Sequence, residues 1–406
     1  MFHARLLVAG AVGALATAVM GPAGGQGEGP NVGRVTIDVP AAVLRDLDER
    51  LARTRWPDQL PGTGWDYGAD TAYLRGLVDY WQNDYDWREQ ERALNRFEHY
   101  RATVDGTRIH FVHAKSPDPN AIPVLLLHGW PSTFVQMLEL IPLLTDPAAH
   151  GLPNGPSFHV VAASLPGFGF SDAPTRPGVG FATSAELMAK VMHDALGYER
   201  YGVRGSDLGG VIVRQMALKY PEQVVGVHLT GIIGAAGAAP PFTPAEQAFM
   251  DGVGRVEPEL AYARLQTSKP QTLAHSLNDS PVGLAAWIVE KFRAWSDSNG
   301  DVERRFSKDE LITNLMVYWV TGTAPASVRM YYDFVREPLV PGRVERPVGM
   351  LMSTRDLFPP APREFGERLL NVQRWVETDV GGHFLEWEEP ELVARDMQTF
   401  FAGVPR

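Results

Sequence analysis

Two periods of apolar patterning alternate along this chain, and the points where one gives way to the other outline its elements. Continuous apolar runs at Ile122–Leu127, Tyr201–Gly205, Val224–Thr230 and Pro347–Ser353 predict buried strands, and Arg374–Val380 predicts a short final one. Val211–Tyr220 has helical apolar spacing and is closed by Pro221. Strands that alternate with helices in this way predict an α/β fold with a mostly parallel sheet.

Two further regions carry their own organisation. From Val35 to about Lys115, helical spacing appears in Pro40–Leu51, Tyr73–Trp81 and Trp87–Asn95. Phe97–Thr103 and Arg108–His113 flank an Asp105-Gly106 turn and predict a hairpin. From about Gly234 to Glu345 helical patterns dominate again, with Val282–Trp295 and Ser307–Thr321 the clearest. This second region interrupts the core between two of its strands. An insertion there roofs the mouth of the sheet, where α/β proteins bind ligands. The expected division is an N-terminal segment with its hairpin (34–115), a core in two parts (116–233 and 346–406) and a helical lid (234–345).

Residues 1–30 stand apart from that fold. Met1–Arg5 is basic, Leu6–Met20 is uncharged and weakly apolar, and Ala16-Thr17-Ala18 is a small-residue cleavage site. The pattern predicts a secretory signal peptide and hence a secreted or periplasmic protein. The alternative is an uncleaved N-terminal anchor, the one route by which this chain would contact a membrane.

Composition narrows the chemistry. The formal net charge is −11 with no Lys/Arg-rich block, so nucleic-acid binding has no electrostatic footprint. There are no cysteines, which excludes disulfides, thiol nucleophiles and thiolate metal sites. No His-x-x-x-His pair occurs, and His110 and His113 on one strand would face opposite sides. Neither a metal nor a cofactor is expected. Oligomeric state is left open by the sequence.

Asp207 is the most informative position. It follows the strand Tyr201–Gly205 in a sharp turn, with Gly205 two residues before it and Gly209 two residues after. Small residues at those two places are what a strained strand-to-helix turn needs in order to expose a nucleophile. Ser206 would have Arg204 and Leu208 as flanks, which are too large. A carboxylate in this position attacks carbon and gives an alkyl ester of the enzyme. The strand Ile122–Leu127 opens into His128-Gly129-Trp130-Pro131, so the Trp130 N–H and the N–H of Leu208 are the expected oxyanion hole. Downstream, Gly381-Gly382-His383 releases a histidine from the last strand, in the chain position of a general base. Asp356, after Pro347–Ser353, is expected to orient that histidine, with Asp379 as the competitor.

These segments resemble epoxide hydrolases of the microsomal type, on the α/β-hydrolase fold, over nearly all of the chain after about residue 34. The matching pieces are His128-Gly129-Trp130-Pro131, Leu165-Pro166-Gly167-Phe168-Gly169-Phe170-Ser171, Gly205-Ser206-Asp207-Leu208-Gly209 and Gly381-Gly382-His383-Phe384. Between them, Ser268-Lys269-Pro270-Gln271-Thr272 and the stretch Asp279–Ile288 add specificity. The resemblance implies Asp356 in Arg355-Asp356-Leu357-Phe358-Pro359 as the family's acid. It also implies an N-terminal helical segment that wraps the core and packs against the lid.

The same resemblance implies two lid tyrosines, Tyr262 and Tyr331, as proton donors to the epoxide oxygen, with Tyr332 the neighbour of the second. The implied substrate is a small hydrophobic epoxide, with water as co-substrate. A haloalkane dehalogenase would share the aspartate, histidine and acid, but it typically has Trp after the nucleophile where this chain has Leu208. A non-catalytic ligand-binding protein on the same fold is the third reading.

Overall fold

All six residues of Val224–Leu229 are buried, as are all five of Tyr201–Gly205. Strands buried on both sides must lie inside a sheet covered by helices. The computed structural model describes residues 31–152, 155–232 and 240–405, and it has that arrangement. The reading of residues 1–30 as a leader or anchor falls outside the described residues. Among the described residues no helix is long and apolar enough to cross a membrane.

Nine strands form one sheet: β1 (Val32–Val35), β2 (His99–Val104), β3 (Thr107–Ala114), β4 (Ile122–Leu127), β5 (Phe158–Ala163), β6 (Tyr201–Gly205), β7 (Val224–Leu229), β8 (Val344–Ser353) and β9 (Leu370–Thr378). Their order is β1-β2-β3-β5-β4-β6-β7-β8-β9. The pairings among β1, β2, β3 and β5 are antiparallel, and every pairing from β5 through β4 to β9 is parallel. This is the α/β-hydrolase fold.

Three N-terminal helices, α1 (Ala41–Ala52), α2 (Thr71–Asn83) and α3 (Trp87–Leu94), precede the hairpin β2–β3. Within the core lie α4 (Leu140–Thr145), α5 (Phe181–Lys190) and α6 (Asp207–Lys219). Among the described residues six α-helices follow β7: α7 (Pro244–Arg255), α8 (Ala261–Ser268), α9 (Pro270–Asp279), α10 (Pro281–Trp295), α11 (Lys308–Thr321) and α12 (Ala324–Phe334). The chain then returns to the core with α13 (Arg363–Leu369), α14 (Leu385–Glu388) and α15 (Pro390–Ala402). The N-terminal helices touch the α7–α12 layer through specific polar contacts. Arg50 pairs with Asp279 at 2.8 Å, and the hydroxyls of Tyr80 and Tyr85 meet Asp309 and Thr313 at 3.0 Å each.

Most boundaries differ by a residue or two from those the sequence predicts, strands β1 and β5 are additional, and three differences have a clear physical reason. Helix α6 begins at Asp207 itself rather than at Val211, because Gly209 and Gly210 are poor helix formers and mask its first turn. Strand β8 starts at Val344, where exposed Glu345 and half-buried Arg346 break the apolar run. Strand β9 runs from Leu370 to Thr378, so Asp379 lies just past its end rather than within it.

Beneath the C-terminal ends of the strands runs a buried ionic network. Arg204 of β6 donates to Glu386 of α14 at 2.9 Å, and Gln136 donates to the other Glu386 oxygen at 2.8 Å. Arg204 also contacts His228 Nδ1, and His228 Nε2 donates to Asp396 of α15 at 2.8 Å. Burial and the Arg204 charge push His228 down to about 4, so it is a neutral link between guanidinium and carboxylate. The network fixes β6, which carries the nucleophile turn, against α14, which follows the histidine loop. Breaking such a pair on one side leaves a buried charge unmatched.

Candidate active site

The turn between β6 and α6 forces Asp207 into the left-handed region, at φ 48°. A residue other than glycine or asparagine pays for that conformation, and such strain clusters at functional positions. Local packing leaves the chain no alternative. A Cβ on Gly205 would lie 2.4 Å from the Gly209 carbonyl, and one on Gly209 would lie 2.3 Å from the Leu127 carbonyl oxygen. The turn is therefore wedged between β4 and its own helix, and the Asp207 carboxylate projects from it into the site.

Asp207 Oδ1 accepts the Trp130 N–H at 2.9 Å. The N–H of Leu208 stands in the first turn of α6, where backbone donors have no intrahelical acceptor. The loop that carries Trp130 is tied down from several sides. His128 Nδ1 and Ser132 Oγ both donate to Gly129 O, at 2.9 and 3.1 Å. From α11, Asn314 donates to Pro131 O at 2.9 Å and Tyr318 donates to Ser132 O at 2.8 Å. His128 is fully buried, and burial pushes it down to about 4, so it is a neutral scaffold residue.

His383 comes to the same place from the loop after β9. Its Nε2 is 3.5 Å from Asp207 Oδ2, and its Nδ1 is 3.0 Å from Asp356 Oδ1. Burial would lower the histidine, but the charges of Asp356 and Asp207 and their hydrogen bonds outweigh it and hold it well above its ordinary value. Asp379 is exposed, and its contribution nearby is a backbone carbonyl that accepts from Arg355 Nε at 2.6 Å.

Tyr262 on α8 and Tyr331 on α12 pack together against Trp130, near enough to Asp207 for its charge to act on both hydroxyls. Their rings are 6.0 Å apart edge-to-face, and both lie against Trp130, with Tyr262 stacked on the indole at 4.9 Å. Both are pushed above the usual phenol range by burial, with the Asp207 charge adding to it. Both therefore remain protonated donors at neutral pH. The Tyr331 hydroxyl is buried and faces that of Tyr262. Tyr332 turns away: it is 40% exposed and stacks under the Arg336 guanidinium at 3.5 Å. Beside the carboxylates opens a cavity of about 110 Å³, with Ile232, Phe249, Val253, Met352 and Phe358 among its walls.

Several residues of the site escape a reading of the sequence alone. Gly129 is one: a Cβ there would lie 2.3 Å from the Asp207 side chain. Trp295 is another, packing edge-on against His383 at 5.2 Å and against Tyr262 at 5.1 Å. The Lys291 ammonium sits over the rings of Tyr262 and Trp295, at 5.3 and 5.7 Å. A glycine inside a familiar loop motif was the one local signal for the first. The others show only in three dimensions.

The chain matches two family models, one described as epoxide hydrolase N terminus over residues 32–137 and one as alpha/beta hydrolase fold over residues 122–319. Epoxide hydrolase 1 of Sus scrofa is 34% identical over 395 residues, covering 88% of this chain and 86% of that protein. The crystal structure of juvenile hormone epoxide hydrolase from Bombyx mori superposes with a TM-score of 0.82 at 30% identity, over 92% of this chain and 94% of the other. The Aspergillus niger epoxide hydrolase superposes at 0.79 with 27% identity, over 93% and 97%.

Gly129→Ala tests how tightly the nucleophile is seated. The added methyl must displace the Asp207 carboxylate, and a displacement near 1 Å costs roughly a hundredfold in rate. Activity should fall on that scale while thermal unfolding stays close to wild type. At Gly210 a Cβ would meet nothing nearer than 3.4 Å, so Gly210→Ala should keep full activity. Equal activities in the two variants would contradict the packing described.

Proposed function

This chain belongs to the epoxide hydrolase family, and we propose that it converts a small hydrophobic epoxide to a vicinal diol through a hydroxyalkyl ester on Asp207. The observation that carries the reading is the division of labour between the two Asp207 oxygens. Oδ1 rests on the Trp130 N–H and Oδ2 faces His383. In the first step Oδ2 attacks an epoxide carbon, the C–O bond breaks, and its electron pair moves to the epoxide oxygen. That oxygen becomes strongly basic, and Tyr262 and Tyr331 supply the hydrogen bonds and the proton it needs.

The second step depends on a change of charge. Esterification neutralises Asp207, one of the two carboxylates that hold the proton on His383. The imidazole then binds its proton less tightly and passes it, through water, to the tyrosinate left by the first step, so that Nε2 is free to accept a proton from the attacking water while Asp356 keeps the ring oriented. Water attacks the ester carbonyl, and the charge that develops on Oδ1 meets the N–H groups of Trp130 and Leu208. Collapse of that intermediate expels the diol oxygen, which takes the proton of the new carboxylic acid, and leaves Asp207 as a carboxylate beside a protonated His383. No step calls on a metal or a cofactor.

His383→Gln removes the base and leaves the nucleophile intact. Incubated with styrene oxide, this variant should accumulate ester, read by mass spectrometry as one substrate mass added to the peptide that contains Asp207. Full turnover with no adduct would contradict the reading.

The phenols are tested separately. Tyr262→Phe and Tyr331→Phe should each slow ester formation roughly a hundredfold, the scale of losing one strong oxyanion donor, and Tyr332→Phe should have no effect. A silent Tyr331→Phe would remove the second donor from the scheme.

A further inference from the structure

We propose that Glu388, as a carboxylate, is a positioning residue for His383, tying the loop that bears the base to the end of lid helix α10. The proposal rests on the ester mechanism above for its kinetic consequences, and on geometry alone for its structural ones.

Glu388 ends α14, and its side chain is fully buried. One carboxylate oxygen accepts the Phe384 N–H at 3.1 Å, and the other accepts the Asp297 N–H at 2.7 Å. Phe384 is the next residue after His383, and Asp297 lies two residues beyond the end of α10. A second rung joins the same two segments, since the His383 N–H donates to Trp295 O at 2.9 Å. They touch so closely that a Cβ on Gly382 would lie 2.6 Å from both Asp297 N and Trp295 O.

Asp356 fixes the direction of the imidazole through Nδ1. The height of the ring above Asp207 is set instead by the backbone on either side of His383. That backbone is held by the two rungs to α10, and one of them runs through Glu388. An ionised carboxylate accepts at both oxygens, whereas a protonated acid or an amide must turn a donor toward one of the two N–H groups. Charge on Glu388 is therefore part of the tie.

The groups around Glu388 leave that charge finely balanced. Arg305 Nε is 3.7 Å away, but Arg305 also donates to Asp297 at 2.5 Å and Glu389 at 2.9 Å. Arg355 adds to Asp297 at 3.5 Å, and His383 lies on the loop that Glu388 holds. Burial pushes the Glu388 carboxyl up to about 7, against its backbone hydrogen bonds and the Arg305 charge. As pH falls through that value one of the two N–H bonds to Glu388 loosens, although protonation also relieves the cost of burying the charge. Ester formation does not use the imidazole as a base, so the loosening acts on ester hydrolysis.

Rapid-quench mass spectrometry with styrene oxide, at pH values on either side of about 7, separates the two steps. In the wild-type protein, ester decay should slow as pH falls through that range while ester formation holds steady. Glu388→Gln should form ester at the wild-type rate and hydrolyse it about tenfold to a hundredfold more slowly, the cost of a base displaced by up to 1 Å. Its acid limb should also shift, because His383 alone is left to titrate. Wild-type decay with an unchanged pH profile would overturn the proposal, as would formation and decay falling together with the folded fraction.

If Glu388→Gln does not fold, an NMR titration of the wild-type protein decides. The amide proton shifts of Phe384 and Asp297 should move together as pH falls through about 7, because their shared acceptor loses its charge, and shifts that stay constant would overturn the tie. This measurement needs no turnover. A failure of the ester mechanism would show as an absent adduct in His383→Gln and would leave the titration result standing.

Discussion

The conformation of Asp207 is the constraint on which the site depends. Its φ of 48° is unfavourable for a side chain with a Cβ, by about 1–3 kcal/mol for such residues. The strain is sustained by contacts that allow nothing else: Gly205 against Gly209, Gly209 against the end of β4, and Gly129 against the carboxylate itself. These close approaches place one oxygen on a backbone donor and the other 3.5 Å from an imidazole. A relaxed turn would turn the side chain elsewhere, away from both Trp130 and His383.

The surroundings convert that one strained residue into a machine with separate parts. Helix α11 holds the Trp130 loop through Asn314 and Tyr318, so the layer that carries the tyrosines also fixes the backbone N–H that meets Asp207. Helix α10 ends against the histidine loop through Trp295 and Asp297. The Arg204–Glu386 pair connects β6, which leads into Asp207, to the helix that follows His383. The α7–α12 layer is thus tied to the core at two points, the Trp130 loop and the loop that bears His383.

Much of this was legible in the chain because the informative signals are local. A buried parallel strand needs apolar residues on both faces, so β4, β6 and β7 announce themselves as runs. The glycines that permit the elbow lie within two residues of Asp207, and the order of strands points to Asp356 and His383. Boundaries were less legible where polar residues enter an element, as at Glu345 and Arg346 in β8, or where glycines mask a helix start, as in α6. The groups that tune the site were not legible at all. Asn314 meets Pro131 across 183 residues, and Trp295 reaches His383 only after the lid has folded back. Glu388 reads in sequence as one of several acids at a helix start, and only its burial sets it apart.

The account turns on which atom first bonds to the substrate. A single turnover in heavy-oxygen water, with enzyme in excess over epoxide, distinguishes the two possibilities directly. If Asp207 Oδ2 attacks, the first diol carries oxygen from the protein and is unlabelled, and the label is found in the Asp207 carboxylate. If water attacks the epoxide itself, the first diol carries the label and Asp207 does not, and the ester mechanism built on this geometry is wrong.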